Sequence, residues 1–152
     1  TGGIPVPQRS PQRQKYRLDE IKRWSEFLNI KINIKPKFFP PTDPHLPAKF
    51  TIAANLLNTK IIFGHELLKL LWSEDKDISN EKNIEIVSNN LKINFKELSA
   101  LANSEKVSKI YIDNTEEAIA KNVFGAPTYI FNNELFWGQD RLEFLERALK
   151  NA

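Results

Sequence analysis

The sequence predicts an α/β protein, with long helical stretches and a short strand hairpin near the C-terminal end. Two observations carry this. Thr128 to Phe131 is β-branched and aromatic, Asn132-Asn133 tolerates the positive φ of a tight turn, and Glu134 to Trp137 returns as a second short strand. Almost everywhere else, apolar residues recur at three- and four-residue spacing, the period of a helix with one buried face.

The elements follow in order. Residues 1–13 read as a loop, because Gly2, Gly3, Pro5, Pro7 and Pro11 oppose regular structure. A helix over about 15–28 carries the stripe Leu18, Ile21, Trp24, Ser25 and Leu28, with Trp24 packed in the core. Ile30, Ile32 and Ile34 alternate with Lys31, Asn33 and Lys35, by period a strand with one apolar face, and read as extended chain without assignment to a sheet. A proline-stiffened loop then presents Phe38 and Phe39, which cannot both face inward on extended backbone. Two helices span 46–57 and 61–72, broken at Asn58-Thr59, the second burying Ile61, Leu68 and Trp72 with Phe63, Leu67 and Leu71 beside them.

After a polar turn at 73–80, a helix over about 80–89 turns Ile84 and Val87 inward. Asn94 with Glu97 forms a capping box for a short helix to about 102. Ser104 caps a long helix to about 122, with Val107, Ile110, Tyr111, Ala118 and Ile119 inward and a kink or inward polar contact at Asn114-Thr115. The last helix, 141–150, packs through Leu142, Leu145, Ala148 and Leu149.

Composition narrows the function. The 152 residues are 41% hydrophobic, enough for one domain with a core. The net charge of +3 is scattered, and no Lys/Arg run marks a nucleic-acid face. No apolar stretch approaches the ~20 residues that cross a bilayer, so no membrane partner is expected. The chain holds no cysteine, which excludes thiol chemistry by these residues and fits a reducing compartment. His45 and His65 are too few and too far apart to form a metal site, and read as surface or cap residues.

Chemistry concentrates around the hairpin. Pro127 has no N–H to give a sheet, and a cis bond before it would turn the Ala126 backbone outward to pair with an extended ligand. Gly138 breaks the second strand, and Asp140 with Glu143 forms a D-x-x-E box opening the last helix, whose first N–H groups and positive dipole end lie beside the Asp140 carboxylate. Together these offers suit a small peptide-like molecule carrying a carboxylate and an ammonium. The plainer alternative is that Pro127 ends a loop and Asp140 is an ordinary N-cap.

Gly125-Ala126-Pro127-Thr128 before the strand, with Glu134-Leu135-Phe136-Trp137-Gly138-Gln139-Asp140-Arg141-Leu142 after the turn, resembles the 2-hydroxychromene-2-carboxylate isomerase family. Its members are glutathione-dependent relatives of kappa-class glutathione transferases and DsbA-type oxidoreductases. The likeness extends more loosely back to Arg13-Gln14-Lys15-Tyr16-Arg17. It implies one thioredoxin-like domain over 1–152, with a helical insertion at about 14–103 and a C-terminal thioredoxin-like half at about 104–152.

The resemblance also implies that a strand–helix–strand unit of about 30 residues or more precedes Thr1. In the family that unit carries the catalytic serine, or Cys-x-x-Cys in the oxidoreductases. The chain is therefore expected to be a fragment or truncation lacking the N-terminal part of the sheet, and no catalytic residue is assigned within it.

What the resemblance implies for the site is specific. Ala126 pairs with the cysteinyl backbone of glutathione, Pro127 supplies the cis bend, and Gln139 and Asp140 hold the γ-glutamyl end, Asp140 through the ammonium. Phe39 and Pro40 wall the organic substrate, and Arg13 matches a family Pro-x-Lys/Arg at the mouth of the site. Pro-Thr-Asp-Pro at 41–44 departs from relatives that carry an asparagine after Phe-Pro. Trp137 fills space under the last helix, and Arg141 reaches an acidic neighbour.

The implied function is a cytoplasmic, homodimeric, glutathione-dependent isomerase acting on a small aromatic or unsaturated acid. The alternatives are a kappa-like transferase, a DsbA-type disulfide oxidoreductase, or an inactive remnant dimerising through its sheet edge.

Overall fold

A computed structural model describes residues 4–58 and 62–152. The helices are α1 (Pro11–Leu28), α2 (His45–Leu56), α3 (Ile62–Trp72), α4 (Glu81–Asn90), α5 (Phe95–Ala102), α6 (Glu105–Ala120) and α7 (Leu142–Lys150). The strands β1 (Thr128–Phe131) and β2 (Glu134–Trp137) lie between α6 and α7, and short 3-10 turns occupy Val6–Gln8 and Gln139–Arg141. The expected loop at Thr1 to Gly3, the helix break at Thr59 and the core role of Ile61 fall outside the described residues.

The chain divides into two compact units. One is Ser10–Asp113; the other joins the segment ending at Arg9 to Asn114–Ala152.

The helical unit is built around a continuous apolar core. Phe50 and Ala53 of α2, Phe63 and Leu67 of α3, Ile84 of α4, Leu98 of α5 and Val107 of α6 are all buried. Full burial of such side chains stabilises by about 1.5–3 kcal/mol each. Phe50 and Phe95 stack at 6.0 Å between centroids, joining α2 to α5. The one buried polar side chain among the described residues, Ser88, donates to the Ile93 carbonyl at 2.8 Å, so its hydroxyl is satisfied.

Sequence rules set the helix ends here. Asn80 accepts from the Lys82 N–H, Asn94 from the Glu97 N–H, and Ser104 from the Val107 N–H. The Asp43 carboxylate accepts from the backbone N–H groups of His45 and Leu46, serving the start of α2.

Several expectations are corrected. α1 starts at Pro11, not Lys15, because Ser10 accepts from the Arg13 N–H and proline at N1 needs no N–H partner. Arg13 is therefore an exposed first-turn helical residue rather than part of a loop. Leu28, 52% exposed, leaves the α1 stripe, and α1 has no buried residue. In α3 the buried stripe is Phe63, Leu67, Leu70 and Leu71, while Leu68 faces out at 55% exposure. α6 runs unbroken through Asn114 and Thr115, both exposed, and Ile119 is also exposed. Phe38 and Phe39 do part company: Phe38 packs against the core and Phe39 remains exposed.

Candidate functional site

The hairpin is fixed by its turn. Asn132 and Asn133 both take positive φ, 48° and 64°, as a two-residue turn between right-twisted strands requires. The register then places Thr128 opposite Trp137 and Phe131 opposite Glu134. Just beyond it, the Gly138 N–H donates to the Pro127 carbonyl at 2.9 Å. That bond brings the Ala126-Pro127 bend and the Gln139-Asp140 turn to the same end of the hairpin.

The Ala126–Pro127 bond is cis. Both residues are exposed, and the Ala126 N–H and C=O make no hydrogen bond among the described residues. Here the backbone can accept and donate to an extended peptide. Among the described residues, β1 and β2 pair only with each other.

Two glycines shape this end of the hairpin. A Cβ on Gly125 would lie 2.5 Å from Trp137 Nε1, so only glycine lets the indole settle over that backbone. Trp137 also leans on Phe124 at 5.0 Å and stays 51% exposed. It therefore covers the Phe124-Gly125 backbone. Gly138 sits at φ 104°, and a Cβ there would lie 2.6 Å from Asp140 Oδ1. The Asp140 carboxylate is thus folded back over Gly138, the residue bonded to Pro127.

The D-x-x-E box does not form. Asp140 lies inside the 3-10 turn, Arg141 occupies the N-cap position of α7, and no side chain caps that helix. A one-residue offset explains it: Gly138 at positive φ starts the tighter turn first, and α7 begins only at Leu142. The acidic neighbour Arg141 reaches is Asp140 itself, at 2.8 Å, an exposed pair.

Arg13, Phe39 and Pro40 belong to the helical unit. There, an apolar cavity of about 580 Å³ lies between α2 and α3, with Phe39, Pro41, Pro44 and Trp72 on its wall. Its size and lining suit a small organic ligand. Phe39 is on its wall, and Pro40, which follows a second cis bond, is not. Phe39 packs on Trp72 at 4.8 Å, and the Arg17 guanidinium carbon lies 5.6 Å from the Phe39 ring and 5.9 Å from the Trp72 ring.

Sequence reasoning passed over Arg17 and Trp72. The signal for Arg17 was its position one turn after Arg13, on the same helix face. Trp72 reads in the sequence as one more member of a helical stripe. A second pair also escaped notice: His45 Nδ1 and Tyr111 Oη are hydrogen-bonded at 2.8 Å.

Residues 1–150 match the family of DSBA-like thioredoxin domains. The chain belongs to that family. It is similar to 2-hydroxychromene-2-carboxylate isomerase of Pseudomonas sp. (strain C18), 41% identical over 49 residues, which is 32% of this chain and 23% of that protein. It is likewise similar to 2-hydroxychromene-2-carboxylate isomerase of Pseudomonas putida, 41% identical over 46 residues, 30% of this chain and 23% of the relative. The matched stretch is thus about a quarter of the length of these curated relatives.

A solved structure of 2-hydroxychromene-2-carboxylate isomerase superposes with a TM-score of 0.78 at 21% identity, covering 99% of this chain and 71% of the other. The fold is therefore of the DsbA-like thioredoxin type, rich in helix, with a two-stranded sheet. No described helix is long and apolar enough to cross a membrane.

Proposed function

We propose that this chain serves a glutathione-dependent isomerase of the 2-hydroxychromene-2-carboxylate type. The observation that carries the reading is the 41% identity, over 49 and 46 residues, to two proteins of that name. The hairpin supports it. An exposed, unpaired peptide group at Ala126 and a carboxylate folded back at Asp140 fit a short peptide that bears an ammonium at one end.

When bound, glutathione supplies a nucleophilic thiol. The residues of this chain bind and orient. Ala126 offers its N–H and C=O to the cysteinyl backbone, and Pro127 sets the bend that presents them. Asp140 accepts from the γ-glutamyl ammonium, exchanging its exposed contact with Arg141, while Gln139 lies toward the carboxylate. Phe39, backed by Trp72, gives an apolar face to a small aromatic or unsaturated acid, and the cations Arg13 and Arg17 on one face of α1 complement the acid's charge. The reading includes a homodimer working in the cytoplasm.

Calorimetric titration of reduced glutathione tests this. A charge-assisted contact is worth roughly 1.5–3 kcal/mol. Asp140→Ala is therefore expected to weaken glutathione about tenfold or more, and to leave cysteinylglycine, which lacks the γ-glutamyl ammonium contact, unchanged. An equal glutathione affinity in the variant would remove Asp140 from the site. No saturable binding to the parent chain would end the glutathione reading.

A further inference from the structure

The helical unit has a second cavity, which shares His65, Leu68 and Trp72 with the cavity that Phe39 lines. It measures about 630 Å³ and lies between the segment 29–32 and α3. Its floor is the outward face of α3, where His65, Leu68, Lys69 and Trp72 follow helical spacing. Ile30 and Ile32 form the facing wall.

This wall is held in place by hydrogen bonds to its backbone. The Asn33 N–H donates to the Trp72 carbonyl at 2.6 Å, and the Ser73 hydroxyl donates to the Lys31 carbonyl at 2.5 Å. The segment is further tied to α1, since the Ser25 hydroxyl donates to the Ile30 carbonyl at 2.6 Å. Leu68 stands 55% exposed and Ile30 47% exposed, an apolar lining that water covers at a cost.

Charge at the rim decides what kind of ligand fits. Lys31 and Lys69 both border the cavity, with Glu74 as the one carboxylate among its lining residues. Lys69 is in contact with Glu66 at 3.3 Å, whereas the Lys31 ammonium has no carboxylate partner among the described residues. An apolar slot with two lysines among its lining residues complements an apolar body ending in an anion.

We propose that this cavity is a binding site for a monoanionic amphiphile, a medium-chain aliphatic carboxylate, with its chain against Leu68 and Trp72 and its head at Lys31 and Lys69. The site is distinct from the hairpin end at Ala126 and Asp140, and does not depend on the glutathione reading.

Decanoate is the probe, with decanol as its uncharged counterpart, both below their micellar range and followed by calorimetry on the full chain. The expected result is one decanoate per chain, preferred over decanol by roughly tenfold because the head makes a charge-assisted contact. Leu68→Glu puts a carboxylate on the floor of the slot and abolishes decanoate binding; since Leu68 is already exposed, the fold is retained. Ile86→Glu, an equally solvent-facing change at 49% exposure on α4, leaves binding intact. The double variant Lys31→Glu, Lys69→Glu removes the preference for decanoate and keeps decanol. Absence of saturable decanoate binding overturns the proposal, as does equal loss in Ile86→Glu or an undiminished preference in the lysine variant. A chain dimer that dissolves in Leu68→Glu, with no decanoate bound by the parent, would instead assign the slot to a second copy.

Discussion

Between Ser10 and Asp113 the chain closes a core of fully buried aromatic and aliphatic side chains; among the described residues from Asn114 to Ala152, only Phe136 is buried. The two regions are held by different forces. The helical unit rests on apolar burial. The hairpin unit rests on turn chemistry and a few backbone bonds, with Asn132 and Asn133 at positive φ and the Gly138 N–H on the Pro127 carbonyl. Even α7, with acidic and basic residues on one side and Leu145 and Ala148 half-buried on the other, leaves Leu142, Phe144 and Leu149 about half exposed. The residues proposed for glutathione sit in the region with almost no core, where local opening takes least free energy.

Truncating the anchor of each region gives the sharpest test of that contrast. Phe50→Ala is expected to destabilise the helical unit by about 3–5 kcal/mol, as for a fully buried phenylalanine whose cavity cannot collapse. Phe136→Ala is expected to cost no more than about 2 kcal/mol, because few buried neighbours surround it. Urea unfolding followed by far-ultraviolet circular dichroism measures the first, and amide exchange across 128–137 measures the second. Equal costs would mean that the hairpin is built like the helical unit, and the comparison would fall.

Gly138→Ala probes the hairpin's other support. A residue at φ 104° with a Cβ 2.6 Å from Asp140 Oδ1 is strained in backbone and side chain together. The expected loss is about 1–2 kcal/mol, confined to the hairpin. Faster exchange at 128–142 with an unchanged urea midpoint for the helical unit is the expected pattern. If the midpoint falls as well, the two units do not unfold independently.

How much of this was legible depended on the range of the interaction. The hairpin, its Asn-Asn turn and the caps at Asn94 and Ser104 were readable, since each depends on neighbours within four residues. The apolar period located the helices and the inward faces at Ile84, Val87 and Val107. It failed at Leu68, Ile119 and Leu28, because periodicity gives a helix one apolar face but not how far its neighbours cover that face. Asp140 shows another limit. The D-x-x-E pattern was real, yet Gly138 opened a 3-10 turn first and shifted the helix start by one residue. In the candidate site, Ala126, Pro127, Gln139 and Asp140 are adjacent through one turn and could be paired from sequence. Packing of Arg17 and Trp72 about Phe39 joins positions 17, 39 and 72. No short-range rule connects residues that far apart.

The smallest expected effect concerns the ion pairs that decorate the helices. Lys15 and Asp19 on α1 meet at 2.8 Å with both side chains largely in solvent. The hydrogen bond from the Lys15 ammonium holds the Asp19 carboxyl below its ordinary value of 3.8. The folded form is thus favoured by the pair only while Asp19 is ionised: the contribution is present above about pH 4 and is lost as pH falls through the lowered value. Exposed pairs of this kind are screened and give little net stability. Lys15→Gln is accordingly expected to leave the urea midpoint at pH 7 within measurement error, with any small deficit disappearing toward pH 2. A large neutral-pH deficit would place surface charge, rather than the Phe50 core, among the forces that hold the helical unit.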